Sequence, residues 1–510
     1  MYDTIIVGAG SAGAALAARL TEDDQRRVLV LEAGPDYRSA ETPEAIRGVE
    51  PGKNRLVEQL AQSHTFPQLQ ASRSAAQEPA SYPRGRGVGG SSAVNGLFAI
   101  RPTAEDLDGW AANGCAGWSH REVLPLLRKL ENDQDFGADD HHGADGPIPV
   151  LRPRREDFAT VESALDQVTG RMGHPWAPDH NAPGATGVSP YAYNSLGGRR
   201  VSTNDAYLEP ARERPGLHVV GGALVDRILI SGGRATGVRA LVEGEVTEFH
   251  AAEVVVSAGA VHSPAILQRS GIGPAAELRK VGVEPVVDLP VGRGLQDHAA
   301  MMLILGLHEP PDYRGLPERG QLFLRFTTGV GEAVNDGVIA TPGALGEGLP
   351  VAGIVGWNNR ASSTGRVRLT STDPTIDPAV ELNLLADPVD LRRFRVVVDE
   401  LREIAAQPEL QKISAGMGLG TAMVPPDAPM SDAEFAQFAL ANVIDTAHAS
   451  GTCRMGAPGA PDAVVDPDGR VQGVEGLRVA DASVFPWVPR ANPHLTAVLV
   501  GEKIAAAMRE

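Results

Sequence analysis

A glycine-rich turn between a short apolar strand and a helix does most to restrict what this chain can fold into. Residues 8–13 read Gly-Ala-Gly-Ser-Ala-Gly, the pattern G-x-G-x-x-G. They follow the apolar run Thr4–Val7 and open the Ala- and Leu-rich segment Gly13–Leu20. A second short apolar run, Val28–Leu31, comes next. Runs of this kind are typical of parallel strands buried on both faces. The sequence therefore predicts a βαβ unit.

This unit is typical of dinucleotide-binding proteins, because each of its parts has a physical task. The glycines allow a tight turn, close approach of backbone to a diphosphate, and close packing of helix on strand. The helix N-terminus adds free N–H groups and the positive end of its dipole. Glu32 ends the second strand, 19 residues after Gly13, where a carboxylate can accept hydrogen bonds from adenosine ribose hydroxyls. FAD and NAD share this ADP half, so both cofactors remain open at this point.

A second glycine-rich stretch, at residues 85–96, separates the two cofactors. It reads Gly-Arg-Gly-Val-Gly-Gly-Ser-Ser-Ala-Val-Asn-Gly, a loop whose backbone can approach a ligand closely. It resembles the first signature of the glucose-methanol-choline (GMC) oxidoreductases, in which this loop lies along the flavin. Later stretches resemble other motifs of that family and occur in the family's order: 259–273, 448–456, 478–483 and 492–494.

The resemblance implies an α/β fold with a discontinuous, Rossmann-like FAD-binding domain. It also implies an α+β substrate-binding domain, likewise discontinuous, built on an antiparallel sheet. We assign to the FAD-binding domain residues 1–150, 199–297 and 441–510. We assign to the substrate-binding domain residues 151–198 and 298–440.

Strand-like and helix-like segments support this division. Three segments followed by one more buried strand read as a meander: Leu217–Val220, Arg227–Ile230, Gly237–Leu241 and Glu253–Ser257. Between about 299 and 440, strand-like segments such as Gly365–Leu369 alternate with helix-like ones such as Leu391–Ala406. This alternation predicts a second, antiparallel sheet covered by helices.

The resemblance also implies cofactor contacts, position by position. The ADP half would be held by Gly8, Gly10, Gly13 and Glu32, and the backbone of Val225 would face the adenine. Diphosphate, ribityl chain or flavin would be contacted by Ser92, Asn95, Gly96, Asp481 and Ala482. The other implied contacts are Ser11, Ala12, Ala33, Arg86, Val88, Gly89, Gly90, Ala258, Asn492 and Pro493.

Two histidines are the catalytic residues that the resemblance implies. Oxidising an alcohol requires removal of the hydroxyl proton and of a hydride, and a base near the hydroxyl lowers the barrier. Histidine suits that task because its ordinary pKa of about 6.5 lies near working pH. We predict that His448 is the base and that His494 holds the substrate oxygen, both facing flavin N5. We interpret His298, in another family-like stretch, as structural.

Positions beside these residues carry further expectations. Some family members bind flavin covalently through a histidine where this chain has Val94, so noncovalent FAD is predicted. Arg84 and Arg101 flank the flavin loop and could stabilise anionic reduced flavin or be ordinary solvated charges. Thr446 and Ala447 are small residues before His448, which indicates room for a bulky substrate.

Bulk composition narrows the range of partners. A chain of 510 residues is long for one hydrophobic core, so two domains are expected. With 46 Lys and Arg against 64 Asp and Glu, the net charge of −18 disfavours nucleic acid as a partner. Cys115 and Cys453 have no zinc-type spacing, and no metal is expected. Without a signal-peptide pattern or a bilayer-length apolar run, we expect a cytoplasmic protein lacking integral membrane segments.

The favoured function is oxidation of a CH–OH group, with electrons passed to a quinone, a dye-type redox carrier or dioxygen. Of these acceptors, we predict that a quinone or dye supports faster turnover than dioxygen. Two stretches resemble bacterial oxidases of hydroxymethylfurans and aryl alcohols, and also the GMC member associated with mycofactocin, which would re-oxidise reduced mycofactocin. A hydroxynitrile lyase that keeps FAD without redox use is a further alternative. So is a noncatalytic nucleotide-binding scaffold.

Overall fold

The computed structural model describes residues 2–48, 63–313, 320–343, 345–346 and 348–509, which include every candidate site residue named above. Its strands are β1 (Tyr2–Val7), β2 (Val28–Leu31), β3 (Gln70–Ser72), β4 (Ala80–Ser81), β5 (Glu131–Asp133), β6 (Ile148–Val150), β7 (Gly187–Pro190), β8 (Ser195–Leu196), β9 (Arg199–Arg200), β10 (Leu217–Val220), β11 (Ala223–Ser231), β12 (Arg234–Val242), β13 (Glu245–Val256), β14 (Arg293–Leu295), β15 (Ala299–Leu307), β16 (Leu322–Phe326), β17 (Gly337–Ala340), β18 (Val351–Asn358), β19 (Gly365–Arg368), β20 (Ala379–Glu381), β21 (Ser414–Leu419), β22 (Ile444–Asp445) and β23 (Leu477–Val479).

The α-helices within the same ranges are α1 (Ser11–Leu20), α2 (Glu44–Arg47), α3 (Ala104–Ala112), α4 (His120–Leu130), α5 (Thr160–Arg171), α6 (Glu209–Ala211), α7 (Gly259–Arg269), α8 (Ala275–Lys280), α9 (Pro388–Ala405), α10 (Pro408–Ile413), α11 (Asp432–Asn442) and α12 (Pro493–Ala507). Among the described residues, no helix combines the length and the apolar character that crossing a membrane requires.

The predicted βαβ unit is the centre of a mixed sheet. β1 and β2 pair in parallel, and α1 connects them. β10 extends the parallel part beyond β2, while β13 and then β23 extend it beyond β1. Every residue of β2 is buried, as its continuous apolar run predicted. The main core cluster lies around these strands and includes α1 and α12.

The predicted meander is correct in its strands but wrong in its pairing. Leu217–Val220 is β10, which pairs with β2 in parallel and takes no part in the meander. After β10, Gly222 N–H bonds to Gly34 O, which carries the chain past the end of β2. The meander is β11, β12 and the first half of β13. Glu253–Ser257 is therefore no separate strand, because β13 runs on unbroken into the parallel sheet.

The predicted antiparallel sheet is confirmed, with strand order β21-β15-β18-β17-β16-β7 and β22 beside β15. α9 packs on β15, β17 and β18, and it begins earlier than predicted because the Asp387 side chain caps its first turn. Gly365–Leu369 forms a strand, β19, but it belongs to a smaller sheet ordered β14-β19-β20-β3-β4. A second core cluster fills the space around the large antiparallel sheet.

A buried network of charges lies beside the β5–β6 pair. Its ion pairs join three acids to three bases: Glu131, Asp133 and Asp179 with Arg101, Arg152 and His142. Two trios of these carboxylates with the neighbouring histidines have ligand atoms close enough together to hold a metal ion. The two arginines already pair with the same carboxylates, so the network balances its own charge.

Candidate active site

A cavity of about 480 Å³ opens between the carboxyl ends of the parallel strands and the large antiparallel sheet. This is where ligands bind in open α/β sheets. Both candidate catalytic residues, His448 and His494, line it. The candidate cofactor residues that line it are Gly8, Gly10, Ser11, Ala12, Glu32, Ala33, Gly90, Ser92, Asn95, Gly96, Val225, Ala258, Asp481, Ala482, Asn492 and Pro493. Residues more than 480 positions apart in the sequence thus meet in one space.

Four candidate cofactor residues lie behind the cavity wall: Gly13, Arg86, Val88 and Gly89. Val88 is fully buried, and Gly89 donates its N–H to Ala9 O. Arg86 places its guanidinium over the Phe66 ring. These residues support the two glycine-rich loops from outside.

The glycines make the floor of the cavity from bare backbone. A Cβ atom at Gly13 would lie 2.0 Å from Gly8 O, so helix α1 could not pack this close to β1 with any larger residue. Gly90 has φ +51°, and a Cβ there would lie 2.7 Å from Gly10 Cα. The two glycine-rich loops therefore touch each other. Their contact, with the N-terminus of α1 beside it, forms a cradle that fits a diphosphate.

Glu32 ties this cradle together, which the sequence did not indicate. Its Oε2 accepts the N–H of Ala9, and its Oε1 accepts the N–H groups of Gly34 and Gly87. One carboxylate thereby joins the end of β2 to both glycine-rich loops. Burial raises the pKa of Glu32, while these three hydrogen bonds act in the opposite direction. Oε2 has one further lone pair for a ribose hydroxyl.

Asp481 is a second carboxylate that joins separate segments by accepting their backbone N–H groups. Its Oδ2 accepts from Gly259 N, 2.9 Å away, and from the Ser263 hydroxyl, while Oδ1 accepts from Ser483 N at 2.7 Å. The start of α7 is held against the end of β23 by these bonds. Burial raises the pKa of Asp481, and the same hydrogen bonds oppose that rise.

The His448 ring is held at both nitrogens. Nε2 lies 3.2 Å from Asn492 Nδ2, and Nδ1 lies 2.8 Å from both Thr446 Oγ1 and His298 Nδ1. The interpretation of His298 as merely structural was therefore incomplete, because it contacts the proposed base directly. Its position before a β-strand, 150 residues away in sequence, gave no signal of that contact.

His494 stands at the start of α12 and faces the first glycine-rich turn. Its Nδ1 lies 3.2 Å from Ser11 Oγ. Its Nε2 is buried and, among the described residues, has no hydrogen-bond partner; the same holds for Asn492 Oδ1. Buried polar atoms of this kind are costly unless a ligand satisfies them. Together with the backbone cradle, they fit a bound FAD and an alcohol beside it.

Burial leaves all three histidines uncharged at neutral pH. It lowers the pKa of His448 well below the ordinary value, and the neighbouring His298 and Arg84 act in the same direction. Burial also lowers the pKa of His298 to about 4, although Asp297 opposes that shift. For His494, burial and the more distant Arg200 lower the pKa to about 4. A neutral imidazole is the form that can accept a proton.

The two arginines that flank the flavin loop have different positions. Arg84 lines the cavity, donates to Ala447 O at 2.7 Å and lies 4.2 Å from the centre of the Tyr82 ring. Arg101 belongs to the buried charge network, where it pairs with Glu131. The expectation that Arg101 faces the flavin or solvent was therefore wrong. The sequence around Arg101 could not indicate its ion pair with Glu131, because that partner lies elsewhere in the chain.

The apolar side of the cavity was also not predicted from the sequence. It is formed by Phe98 and Tyr191, whose rings stack with centres 3.9 Å apart, and by Met302, Val355 and Trp357 from the antiparallel sheet. Such residues look like ordinary core until the fold brings them over the cavity. Alternating strands with one inward face would be the only signal for the last three.

Comparison with known proteins gives a consistent result. The family models for the N- and C-terminal parts of GMC oxidoreductases match residues 2–300 and 361–501. The chain is 37% identical to 5-(hydroxymethyl)furfural oxidase of Methylovorus sp. (strain MP688), over 100% of this chain and 98% of the relative. It is also 37% identical to an oxygen-dependent choline dehydrogenase of Paraburkholderia phymatum, covering 100% and 92%. The structure of pyridoxine 4-oxidase from Mesorbium loti superposes with a TM-score of 0.90 at 28% identity, covering 100% and 99%.

Proposed function

Because the chain belongs to the GMC oxidoreductase family and is therefore an FAD-dependent enzyme that oxidises the CH–OH group of alcohols, we propose that His448 is its catalytic base. The observation that carries this proposal is the neutral, doubly held His448 ring in the cavity wall. We also propose that segments 1–150, 199–297 and 441–510 form the FAD-binding domain, and that the rest of the chain forms the substrate-binding domain.

The proposed reaction separates the two hydrogens of the alcohol. His448 Nε2 takes the hydroxyl proton, and bound FAD supplies the acceptor for the hydride that leaves the carbon. His494 Nε2 and the Asn492 side chain have free hydrogen-bonding capacity in the same wall and hold the substrate oxygen. The carbon–oxygen single bond thereby becomes a carbonyl, and His448 ends the step as an imidazolium.

We propose that the FAD is bound without a covalent link, since Val94 carries no nucleophile. Acid precipitation should release all of the flavin into the supernatant, and the denatured chain should have the mass of the polypeptide alone, 53.5 kDa. Absorbance at 450 nm of the two fractions and intact-mass spectrometry measure this. Yellow colour that stays in the pellet would contradict the proposal.

The proposed substrate is an uncharged alcohol with an aromatic ring. The apolar side of the cavity offers ring faces and a thioether for packing such a group. Three acidic residues line the cavity, but each already has partners. Glu32 and Asp481 accept backbone N–H groups, while Asp445 pairs with Arg73 at 2.7 Å. Among the described lining residues, no carboxylate is therefore left to pair with a substrate cation, and burying an unpaired cation is costly.

Anaerobic reduction of the enzyme-bound flavin by different alcohols tests this class. Benzyl alcohol and 5-(hydroxymethyl)furfural should bleach the flavin at least about 100-fold more efficiently than choline, whose cation would find no free carboxylate among the described lining residues. The matched control is 3,3-dimethylbutan-1-ol, which has the shape of choline without its charge and should exceed it. Choline as the best substrate would overturn the proposal. Consumption of an alcohol or cyanohydrin without bleaching would favour the lyase.

For the oxidative step we propose dioxygen as acceptor. The support is that similar proteins are named an oxidase and an oxygen-dependent dehydrogenase. The alternative is the quinone or dye-type carrier expected from the sequence. Parallel assays on one alcohol, following peroxide in one and dye reduction in the other, decide between them by the faster rate.

A further inference from the structure

The turn that carries His448 is wrapped around one buried carboxylate. Asp297 Oδ1 accepts from the backbone N–H of His298 at 2.8 Å and of His448 at 3.0 Å. It also accepts from the Thr446 hydroxyl at 3.0 Å, and Oδ2 accepts from the Tyr82 hydroxyl at 2.7 Å. Asp297 is only 2% exposed. The base, its histidine neighbour and Thr446 are thus fixed to the same group.

The backbone is bent to make this possible. Ala447 has φ +62°, in the left-handed region that a residue with a Cβ rarely adopts. Asp445 Oδ1 accepts its N–H at 3.0 Å, and Arg84 donates to its carbonyl at 2.7 Å. The bend lets the Thr446 hydroxyl and the backbone N–H of His448, two residues apart, both reach Asp297. Strained backbone held by surrounding bonds is characteristic of functional sites.

Hydrogen-bond accounting gives one consistent arrangement of protons. Asn492 Nδ2 can only donate, so His448 Nε2 accepts and the ring proton is on Nδ1. That Nδ1–H then points at two acceptors, Thr446 Oγ1 and His298 Nδ1. The Thr446 hydroxyl in turn donates to Asp297 Oδ1, which also accepts the backbone N–H groups of His298 and His448. Every bond in the chain Asp297–Thr446–His448 has a donor and an acceptor.

We propose that Thr446 is a positioning residue for the base. It accepts Nδ1–H of His448 and donates to Asp297, and so holds His448 in the tautomer whose Nε2 carries the lone pair, which Asn492 Nδ2 occupies until the substrate hydroxyl replaces it. When Nε2 takes the substrate proton, the same link connects the new imidazolium to the Asp297 carboxylate. This inference rests on the proposed role of His448 but assigns Thr446 a task of its own, beyond its small size.

Few other charged or titratable groups around His448 could stabilise its imidazolium form. His298 is neutral, and Arg84 is a cation that opposes the imidazolium. Asp445 is committed to Arg73 and to the Ala447 N–H. Asp297 is the remaining anion in this set, and among side chains it reaches the ring through Thr446.

The test compares Thr446→Val, which keeps the shape but removes the hydroxyl, with Thr446→Ser, which keeps the hydroxyl. Rates of anaerobic flavin reduction are measured in the holoenzyme from pH 5 to 9. Thr446→Val should slow reduction about 10- to 100-fold, the usual effect of losing a hydrogen bond to a charged group. Its acid limb should move to lower pH, because the imidazolium has lost support. Thr446→Ser should restore both.

Thr169→Val is the matched control, since Thr169 is equally a threonine with a buried hydroxyl, bonded to Leu165 O within α5. Its rate and pH profile should equal those of the wild type. A readout independent of turnover is the nitrogen NMR spectrum of enzyme labelled with [15N]histidine, in which His448 is identified by its loss on substitution. Thr446→Val should shift the His448 signals away from the pure Nδ1–H tautomer.

Wild-type rate, pH profile and tautomer in Thr446→Val would overturn the inference. Retention of rate in His448→Ala would instead overturn the proposed base, whatever Thr446→Val does. A Thr446→Val protein that fails to bind FAD is replaced by Thr446→Ala, judged by the same NMR signals. An unchanged tautomer there also overturns the inference.

Discussion

Replacing His448 with Ala should slow reduction of the bound flavin by the substrate alcohol by about 100-fold or more at pH 7. Removal of a general base has this scale of effect, because the hydroxyl proton then has no acceptor as the hydride leaves. FAD content should stay the same, since among the described residues the side chain bonds only to Asn492, Thr446 and His298. Stopped-flow absorbance at 450 nm measures the rate.

The control is His250→Ala, which removes an exposed imidazole from β13, outside the cavity wall, and should leave the rate unchanged. The pH dependence gives a second check. The pKa of His448 is lowered by burial, so the base stays neutral and the rate constant stays flat as pH falls from 9 to the ordinary histidine pKa of about 6.5. The rate should fall only below that value. A near-native rate in His448→Ala would make His494 the next candidate.

The second large effect is expected from Glu32→Ala, which should weaken FAD binding by about 100-fold or more. Removal of the carboxylate leaves the N–H groups of Ala9, Gly34 and Gly87 without their acceptor in a buried place. Each unsatisfied buried donor costs about 1–3 kcal/mol. The two glycine-rich loops, which we propose hold the diphosphate, would separate. Titration of flavin-free protein with FAD, followed by flavin fluorescence, gives the dissociation constant.

Glu32→Gln should show a smaller loss, because the amide can still accept at one end but presents N–H₂ to a backbone donor at the other. Glu475→Ala, which removes an exposed carboxylate from a loop, is the matched control and should bind FAD normally. In the Glu32 and Glu475 variants, the fraction of protein that retains FAD should be reduced by alcohol at the wild-type rate. A rate loss with full occupancy would place Glu32 in the chemistry rather than in the cradle.

Much of the FAD cradle could be predicted because its determinants are local. A glycine at position 13 and an acid at position 32 follow from the geometry of one βαβ unit, and the structure shows Glu32 in the cavity wall. The bond from Glu32 to Gly87 could not be predicted, because it joins segments 55 residues apart. Neither segment by itself indicates that the two glycine-rich loops contact each other.

The apolar side of the cavity, in contrast, could hardly be predicted from the sequence. Met302, Val355 and Trp357 are hydrophobic residues on strands, which a sequence pattern assigns to a core. Only the sheet order shows that they cover a cavity. The same reason hid His298 and Asp297, whose partners lie on the turn at 445–448. The error in the meander came from the spacing of the strands, which does not show that β10 pairs with β2, far earlier in the chain.

The position of α12 has a consequence for biosynthesis. Pro493 lies 493 − 20 = 473 residues after the end of α1, yet α12 packs so closely on α1 that a Cβ at Gly501 would lie 2.4 Å from Ala12 O. Arg19 of α1 pairs with Glu502 at 2.8 Å. A ribosome-bound chain presents the glycine-rich turn early but lacks this cover and the Asn492 and His494 walls. The complete FAD cradle therefore forms only after α12 has been synthesised.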